Sequence, residues 1–591
     1  MSTYSNGRIL LFVVGLLTVL AYILLIPTIM NPSSVPVALL TEPFLQAPTL
    51  SSVNVVWFTE FEGTDHWVDY GDGFNQRAIA TTRKLSRMRE DARSKVGQQV
   101  EEGQVFTTPT DRAIWRHEAI VSNLPAGVRL PYRVVSQDGR AIAQSADYTL
   151  TAAPPQGSPL KILLTSDHQL MPMTAANLQK VAETVGSVDA VLMAGDLVNV
   201  PDRASEWFDD NRGGAFFPVL QGRANYALEK EGTTTRYRGG ALIQTAPLFP
   251  TVGNHEVMGR FSTDAELNDQ FNDPYPKRAA EILYSKQALV DLDSDQKAEW
   301  IKNNSFNVDS FREIFTLPND NPEQHYYAVT FGDIRLVVLY ATNIWRSPSL
   351  EPNTRGRYRE RDQDLANPAQ WGYGQHIFEP IGKGSPQYEW LEQELNSTEF
   401  RQAPYKIVMF HHPPHTLGDN IVPAYTDPVQ VVERFADGTI KSIRYEYPKA
   451  KDYLVRDVVP LLEAAGVQLV HVGHSHVWNR FQSAAGTHYL ETSNVGNTYG
   501  AFLTPDQRRP IPIGFQEDYT AFGDPNGLVP IVPTIAPLLD ESGQPLPYVA
   551  SNDISVFSIL DTGTGTVSSY RFDTRQPDAP VVKFDEFSLQ R

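Results

Sequence analysis

The sequence of 591 residues contains no cysteine, and its basic residues are outnumbered by acidic ones. The absence of cysteine excludes disulfide bonds, thiolate metal sites and cysteine nucleophiles, so any bound metal must have nitrogen and oxygen ligands. With Lys+Arg 50 against Asp+Glu 69, the formal net charge is -19 at pH 7. Proteins that coat DNA or RNA neutralise phosphates with an excess of lysine and arginine. Nucleic acid is therefore not expected as a structural partner.

The chain does have enough apolar residues for more than one core. Hydrophobic residues make up 41% and aromatic residues 10% of it, which excludes a wholly disordered or fibrous protein. The length exceeds that of a single small domain, so we expect two or more domains. The oligomeric state is not specified by the sequence.

An uncharged apolar segment lies near the N-terminus, from Ile9 to Met30. A helix of about 22 residues is long enough to cross a bilayer core of roughly 30 Å. Arg8 is the only basic residue before the segment and Arg77 is the next one, which places the N-terminus in the cytoplasm. We therefore predict a membrane anchor over residues 1–32, with the catalytic part outside the cytoplasm, periplasmic or extracellular. The alternative is a cleaved signal peptide and a secreted protein.

Residues 38–152 carry short segments of alternating polarity, such as Val53–Phe58 and Leu130–Val135. Turn signals such as Gly71-Asp72-Gly73 separate these segments. The pattern predicts an all-β sandwich, interrupted by a charged, helix-permissive insertion from Ala78 to Glu102.

A Pro-rich linker, Ala152–Pro159, is followed by continuous apolar runs that are typical of strands buried on both faces. These runs are Ile162–Leu164, Val188–Ala194, Leu336–Tyr340, Ile407–Phe410 and Val467–Val472. Between the first two runs, Thr174–Val185 predicts a helix with Thr174 as its N-cap and Gly186 as its stop.

Further amphipathic helices are predicted at Gln387–Leu395 and Asp452–Ala465, and a strand pair around Ser555–Phe572. Alternation of buried strands and helices is typical of an α/β fold. Residues 160–591 are therefore predicted to form one α/β domain.

Five polar motifs follow these runs or lie close to the ends of strands. They are Ser166-Asp167-His168-Gln169, Gly195-Asp196, Gly253-Asn254-His255-Glu256, His411-His412-Pro413 and Gly473-His474-Ser475-His476. Open α/β sheets place their ligand crevice at the carboxyl ends of strands, and these donors suit Zn, Fe or Mn. Taken singly, an Asp after a strand is more often a turn residue, and a His-x-His pair more often solvent-facing or structural. The ordered combination predicts a metal site.

The order of these motifs resembles that of the calcineurin-like metallophosphoesterases, and within them the purple acid phosphatase-like branch, from residue 160 to about residue 480. Phe311–Asp320 and the helix at Gln387–Leu395 add to the resemblance. The sandwich is similar to the fibronectin-like domain that precedes such catalytic domains, on Val55-Val56-Trp57 and Tyr132-Arg133-Val134. The resemblance implies a four-layer metallophosphoesterase-type β-sandwich flanked by helices, preceded by an all-β fibronectin/Ig-like sandwich.

The resemblance also implies a centre of two divalent or mixed-valence metal ions, with Fe, Zn or Mn expected. Its implied ligands are Asp167, Gln169 and His476 for one ion, Asn254, His411 and His474 for the other, and Asp196 as the bridge. Gln169 stands where the family has a histidine, and a glutamine carbonyl is a weaker, neutral donor. The true purple enzymes take a tyrosine ligand three residues after the bridging Asp, where this chain has Asn199. A purple Fe(III)–tyrosinate centre is therefore not expected.

Catalytic roles are implied for residues beside these ligands. His255 is expected near the leaving group, oriented by Glu256, with structural packing of His255 as the alternative. His412 is expected to support the site or to face the substrate, and Asp196 is catalytic as the bridging ligand. His168 occupies the variable position of the first motif, where it could face the rim of the pocket.

Two divalent ions carry one more charge than Asp167, Asp196 and a bridging hydroxide together, so the floor of the pocket should attract a phosphate anion. We predict an acid-phosphatase-like hydrolase in which a metal-bridging hydroxide attacks a small phosphate ester. One alternative is a phosphodiesterase on the same core. The other is a catalytically idle metal-binding protein, for which Gln169 is the one indication.

Selectivity is expected to depend on the long segments between the motifs, because loops often carry recognition. One of them carries Arg355, Arg357, Arg359 and Arg361 in alternation. These residues could bind a second phosphate or an acidic headgroup, and the alternative is a solvated charged loop.

Overall fold

The computed structural model describes residues 37–97, 99, 103–286, 293–319, 321, 323–419, 422–504, 508, 515 and 522–589. The anchor or signal peptide predicted for residues 1–32 lies outside this range. In the part of the chain that is described, no helix combines the length and the hydropathy that crossing a membrane requires.

The N-terminal region consists of β-strands. In chain order they are Phe44–Gln46 (β1), Ser52–Thr59 (β2), Asp65–Tyr70 (β3), Gln76–Ile79 (β4), Thr81–Lys84 (β5), Arg89–Glu90 (β6), Thr110–Asp111 (β7), Trp115–Ser122 (β8), Leu130–Asp138 (β9), Ala141–Gln144 (β10) and Tyr148–Leu150 (β11). One sheet has the order β1-β2-β8-β5, and the other has the order β10-β9-β3-β4 with β11 also paired to β9.

The two sheets share one apolar core, because alternate residues of each strand point into the space between them. Val55 and Trp57 from one sheet and Tyr132 and Val134 from the other are fully buried there. The predicted all-β N-terminal region is thus confirmed. Its fibronectin-like class and the boundaries 38–152 and 160–591 stay predictions.

The described part of the charged insertion contains β-strands, although its composition also permits a helix. Its first part completes the sandwich, since β5 pairs with β8, and β6 in its next part pairs with β7, which follows the insertion. Arg89 of β6 is buried and binds Asp202 of the α/β region with 2.9 Å between Nη2 and Oδ2. Tertiary contacts with the second region therefore decide the conformation of this segment.

The α/β region contains the remaining strands. They are Lys161–Thr165 (β12), Ala190–Met193 (β13), Tyr226–Lys230 (β14), Thr233–Tyr237 (β15), Leu248–Pro250 (β16), Tyr327–Phe331 (β17), Ile334–Val338 (β18), Tyr405–Met409 (β19), Val429–Arg434 (β20), Ile440–Glu446 (β21), Leu469–Val472 (β22), Trp478–Gln482 (β23), His488–Thr492 (β24), Tyr548–Val549 (β25), Ile554–Asp561 (β26), Thr566–Asp573 (β27) and Val582–Ser588 (β28). Two mixed sheets result, with the orders β16-β13-β12-β26-β27-β28 and β17-β18-β19-β22-β24-β23-β25.

Helices follow or interrupt these strands. They are Thr174–Val185 (α1), Ala204–Phe208 (α2), Phe216–Leu220 (α3), Leu267–Phe271 (α4), Lys277–Lys286 (α5), Ser294–Asn303 (α6), Asp309–Ile314 (α7), Pro386–Leu395 (α8), Thr398–Gln402 (α9) and Val459–Ala464 (α10). The helix predicted at Gln387–Leu395 is α8, and the one predicted at Asp452–Ala465 is α10 with the π-helical turn Leu454–Val458 before it.

The continuous apolar runs are explained by burial of both strand faces. In β12, Ile162 and Leu164 belong to the core between the two sheets, whereas Leu163 belongs to the core that includes Leu178 and Val181 of α1. On the other side, Leu391 of α8 packs in the core of the second sheet. Helices therefore cover the outer faces of the sheets, and the predicted mixed α/β core is confirmed.

The N-cap predicted for α1 is wrong. Met173 is the N-cap residue, and Thr174 is the first helical residue, with its hydroxyl donating to the carbonyl oxygen of His168 at 3.0 Å. Thr174 therefore ties the helix to the first polar motif. The predicted stop is confirmed, because Gly186 follows the helix with a φ of 77°, which favours glycine.

We expect acid to destabilise the N-terminal sandwich through His117. Burial, with the neighbouring His66 and Arg116, lowers the pKa of His117 to about 2. In the unfolded chain this imidazole binds a proton below about pH 6.5, whereas in the folded chain it does not. The free energy of unfolding therefore decreases as the pH falls below 6.5. His117→Gln should reduce the slope of the unfolding free energy against pH, between pH 6 and 5, by about 1.2 kcal/mol per pH unit. Urea denaturation at these pH values measures the slopes, and equal slopes would contradict the expectation.

Candidate metal centre

The strand order brings five polar motifs to two neighbouring sheet edges. Asp167 follows β12, Asp196 follows β13 and Asn254 follows β16, and these three strands are mutually parallel. In the second sheet, His411 follows β19 and His474 follows β22, which are also parallel neighbours. Carboxyl ends of parallel strands share one edge, so the chain topology assembles the cluster.

Asp196 lies at the centre of this cluster. Its Oδ2 is 3.2 Å from Nε2 of His411 and also 3.2 Å from Nε2 of Gln169. Its Oδ1 accepts a hydrogen bond from the backbone N–H of His255 at 2.9 Å. One carboxylate therefore touches members of both predicted ligand sets, as a bridging ligand must.

One predicted ligand set is compact around His411. Its Nε2 lies 3.0 Å from Nδ1 of His474 and 3.1 Å from Oδ1 of Asn254. Ligand atoms of Asp196, His411 and His474 all lie within 4.8 Å of one another, and all three side chains are buried. Such spacing around a common point suits a metal ion.

The other predicted set includes a close contact between Asp167 and His476. Nε2 of His476 lies 3.3 Å from Oδ1 of Asp167, while the backbone N–H of His474 donates to both oxygens of Asp167, at 3.1 and 3.0 Å. With Gln169 against Asp196, all seven predicted ligands lie in one continuous cluster.

Backbone and side-chain acceptors fix the tautomers of the histidines. Nδ1 of His411 donates to the carbonyl oxygen of Ala194 at 2.7 Å, which leaves Nε2 as the lone-pair donor toward Asp196. Nδ1 of His476 lies 2.5 Å from Oδ1 of Asn497, which leaves Nε2 toward Asp167. Sequence reasoning missed Asn497, because it lies outside every motif and its position depends on the loop after β24.

The cluster requires close approach of backbone segments. At Gly195, with φ of 92°, an added Cβ would lie 2.7 Å from Nδ1 of His411. At Gly473 it would lie 2.5 Å from Oδ2 of Asp167, and at Gly253 it would lie 2.3 Å from Oδ1 of Asp196. The glycines of three motifs therefore make room for the ligands.

The carboxylates give the cluster a preference for positive charge. Burial alone would lower the pKa of His411, but Asp196 and Asp167 raise it to about 10. His474 cannot take a second proton, because burial and the neighbouring His411 and His412 hold its pKa well below the usual value. A metal ion would replace the proton on His411, as is usual when imidazoles become ligands.

Gln169 provides the sharpest test of whether this donor set fits a metal. Its carbonyl Oε1 is buried and has no hydrogen-bond partner among the described residues, although burying such an atom costs free energy. A metal ion bound at this position would supply the partner that Oε1 of Gln169 lacks. Asn199, which replaces the tyrosine of the purple enzymes, instead donates through Nδ2 to the backbone oxygen of Gln169 at 2.6 Å. The residues present fit a nitrogen- and oxygen-ligated metal centre.

His255 faces the cavity above the cluster. Its Nδ1 lies 2.8 Å from the carbonyl oxygen of Asn199, and its ring stacks on Phe271 with 5.0 Å between centroids. The predicted orientation of His255 by Glu256 is wrong. Glu256 accepts hydrogen bonds from the backbone N–H groups of Asp196, Leu197 and Gly253, because its carboxylate is fully buried beneath the strand ends.

Two other histidines lie away from the cavity lining. His412 is buried, with its ring 4.7 Å from that of Tyr425 and 4.9 Å from that of His474. It therefore packs behind a predicted ligand, and its direct catalytic role stays a prediction. His168 is also buried, with Nε2 bound to the Thr165 hydroxyl at 2.9 Å, rather than at the rim.

A cavity of about 570 Å³ opens onto this cluster. Its floor includes Gln169, Asp196, Asn254, His474 and His476, together with His255. Its walls include Val257, Phe271, Ile344, Trp345, Phe378 and Phe502. Predicted metal ligands at the base of a largely apolar cleft are an arrangement typical of an active site.

Comparison with known proteins agrees with this geometry. The family model described as calcineurin-like phosphoesterase matches residues 160–478, more than half of the chain. This range contains β12 to β22 and every predicted ligand. No match is found among the curated proteins. The chain therefore belongs to the calcineurin-like phosphoesterases, metal-dependent hydrolases of phosphoester bonds.

Proposed function

We propose that this phosphoesterase is a phosphatase that hydrolyses small phosphate monoesters with two divalent metal ions, in the manner of the purple acid phosphatase-like branch. One observation carries the proposal: all seven predicted ligands lie in one cluster, with Asp196 between two sets. Asp167, Gln169 and His476 would hold one ion, and Asn254, His411 and His474 the other.

The size of the cavity supports a small substrate. A volume of about 570 Å³ lies within the range of small-molecule sites. The overall charge of -19 would slow the approach of long polyanions. A monoester that enters with its phosphate toward the floor matches both features.

Bound divalent ions would supply Lewis-acid polarisation of the phosphoryl group and a water of lowered pKa. His255 supplies the proton donor for the leaving alcohol. Because its Nδ1–H donates to the Asn199 oxygen, its Nε2 is the nitrogen left for the departing oxygen, and it donates a proton there when the ring is protonated on both nitrogens. The stacking of its ring on Phe271 and the hydrogen bond from its backbone to Asp196 hold this position.

The proposed site of action is outside the cytoplasm, with the chain anchored by its N-terminus. The apolar segment Ile9–Met30 and the lack of basic residues between Arg8 and Arg77 support this proposal.

The proposed chemistry predicts that His255→Gln depends on the leaving group. For an alkyl phosphate, whose alkoxide needs a proton, kcat should fall by about 100-fold or more. For 4-nitrophenyl phosphate, whose phenolate leaves without one, the loss should be much smaller. Steady-state kinetics of the metal-loaded protein on both esters measure this difference.

His488→Gln, a substitution in β24, is the control and should change neither rate. An equal loss on both esters with His255→Gln would indicate a structural role for His255. Wild-type kinetics on bis(4-nitrophenyl) phosphate complete the test. A higher kcat/KM for this diester than for the monoester would replace the proposed phosphatase by a phosphodiesterase.

A further inference from the structure

The segment between β18 and α8 forms one wall of the cavity and contains four alternating arginines. Three of them form ion pairs: Arg355 with Asp273, Arg359 with Asp362 and Arg361 with Asp364. Their side chains are between 18% and 28% exposed, so the segment is partly buried rather than a solvated loop.

Arg357 differs from its three neighbours. The residue is only 5% exposed, it lines the cavity, and in the part of the chain that is described it forms no ion pair with a carboxylate. Its Nε donates to Oε1 of Gln375 at 2.9 Å. Its backbone is held as well, since its N–H donates to the Ser347 oxygen at 2.8 Å and its carbonyl accepts from the Tyr447 hydroxyl at 2.5 Å.

A nearly buried guanidinium without a carboxylate is costly, because burial removes its hydration. Two carboxylates among the described lining residues are engaged elsewhere. Asp196 belongs to the metal cluster, and Asp419 lies 3.5 Å from Nε of Arg508. The cavity therefore holds a fixed positive charge, on the wall rather than on the floor, that an anionic ligand would satisfy.

The walls of the cavity are also aromatic and apolar. Trp345 and Phe378 come from the segment that carries Arg357, and Tyr499 and Phe502 line the cavity with them. Trp345 is 48% exposed and Tyr499 63% exposed, which is unusual for such large rings and places apolar surface where a ligand can cover it. The walls thus suit a flat apolar group.

We propose that Arg357 binds a second anionic group, a carboxylate or a further phosphate, on the aromatic leaving group of the phosphate ester. This inference rests on the proposed phosphatase function, since it assigns the substrate class of the same cavity. The phosphate to be cleaved lies at the metal-ligating floor, the ring lies against the aromatic wall, and the second anion meets the guanidinium.

The test compares phenyl phosphate with 3- and 4-carboxyphenyl phosphate. For each metal-loaded protein, the ratio of kcat/KM for a carboxyphenyl ester to that for phenyl phosphate is measured. Wild type should prefer at least one carboxyphenyl ester, and Arg357→Gln should reduce the ratio by about tenfold or more, mainly through KM, because a charge-assisted hydrogen bond is lost. Arg359→Gln, which removes a paired arginine of the same segment, should leave the ratio unchanged.

Calorimetric titration of the metal-free protein with 3- and 4-hydroxybenzoate and with phenol provides a readout that needs no turnover. Wild type should bind a hydroxybenzoate more tightly than phenol, and Arg357→Gln should lose this difference. The inference is overturned if Arg357→Gln keeps the wild-type ratio and the wild-type difference in binding. If metal-loaded wild type hydrolyses no ester at all, the proposed function fails, and the titration still decides the role of Arg357.

Discussion

Asp196→Ala should abolish turnover and reduce metal binding to below one equivalent per chain. Its Oδ2 is the atom that lies 3.2 Å from both His411 and Gln169, so its removal disconnects the two ligand sets. Loss of a residue that only supports a ligand costs about 10- to 100-fold in metal affinity or activity, and loss of a direct ligand should exceed this range. Elemental analysis and hydrolysis of 4-nitrophenyl phosphate measure both effects.

The matched control is Asp189→Ala, which removes a carboxylate just before the opposite end of the same strand. Asp189 pairs with Arg129 at 3.4 Å, is far less buried than Asp196, and should be dispensable for metal binding. Full activity and unchanged metal content in Asp196→Ala would refute the assignment of the centre.

Asp202→Ala should lower the free energy of unfolding by about 3–5 kcal/mol, because it leaves the guanidinium of Arg89 buried without its partner. Both side chains are 2% exposed, and Nη2 of Arg89 lies 2.9 Å from Oδ2 of Asp202. The Ser310 hydroxyl also loses its acceptor, Oδ1 of Asp202, at 2.7 Å. Because Arg89 belongs to the sandwich insertion, urea denaturation of this variant measures how strongly the two regions are joined.

Two comparisons make this prediction specific. Glu183→Ala removes the exposed partner of Lys180 on α1 and should cost less than about 1 kcal/mol. The double replacement Arg89→Met with Asp202→Leu should recover much of the lost stability, since an apolar pair has no charge to desolvate. A loss for Asp202→Ala no larger than that for Glu183→Ala would contradict the account.

The sequence predicted where most of the proposed ligands meet, because their motifs follow strands with a clear apolar pattern. The exception is Asn254, since β16 before it was not among the predicted runs. The polar residues that follow runs such as Ile407–Phe410 and Val467–Val472 lie at a sheet edge, and this position does not depend on the conformation of the loops. The resemblance added which of those residues are expected to be ligands. The terminal strand pair was predicted for the same reason and is β26–β27.

Residues that support the ligands could not be predicted in the same way. Asn497 holds His476, and the backbone oxygen of Asn199 holds His255, but loop conformation alone brings these atoms into contact. Glu256 follows His255 directly, yet its side chain turns under the sheet edge to bind backbone amides. These contacts depend on the tertiary structure, and the local sequence does not determine them.

Alternation of charge likewise gave no means to distinguish Arg357 from its neighbours. Arg355 reaches Asp273, which lies more than eighty positions earlier in the chain, and Arg357 turns toward the cavity. A period of two predicts alternate faces of a strand, whereas these residues belong to an irregular segment whose path is set by contacts such as that between Tyr447 and Arg357.

The metal content of the purified full chain, measured together with hydrolysis of a monoester and a diester, tests the central claim most directly. The account predicts about two equivalents of Mn, Zn or Fe per chain after supplementation, and activity that a chelator removes and the same metals restore. A protein that stays metal-free and inactive after supplementation with all three metals would contradict it.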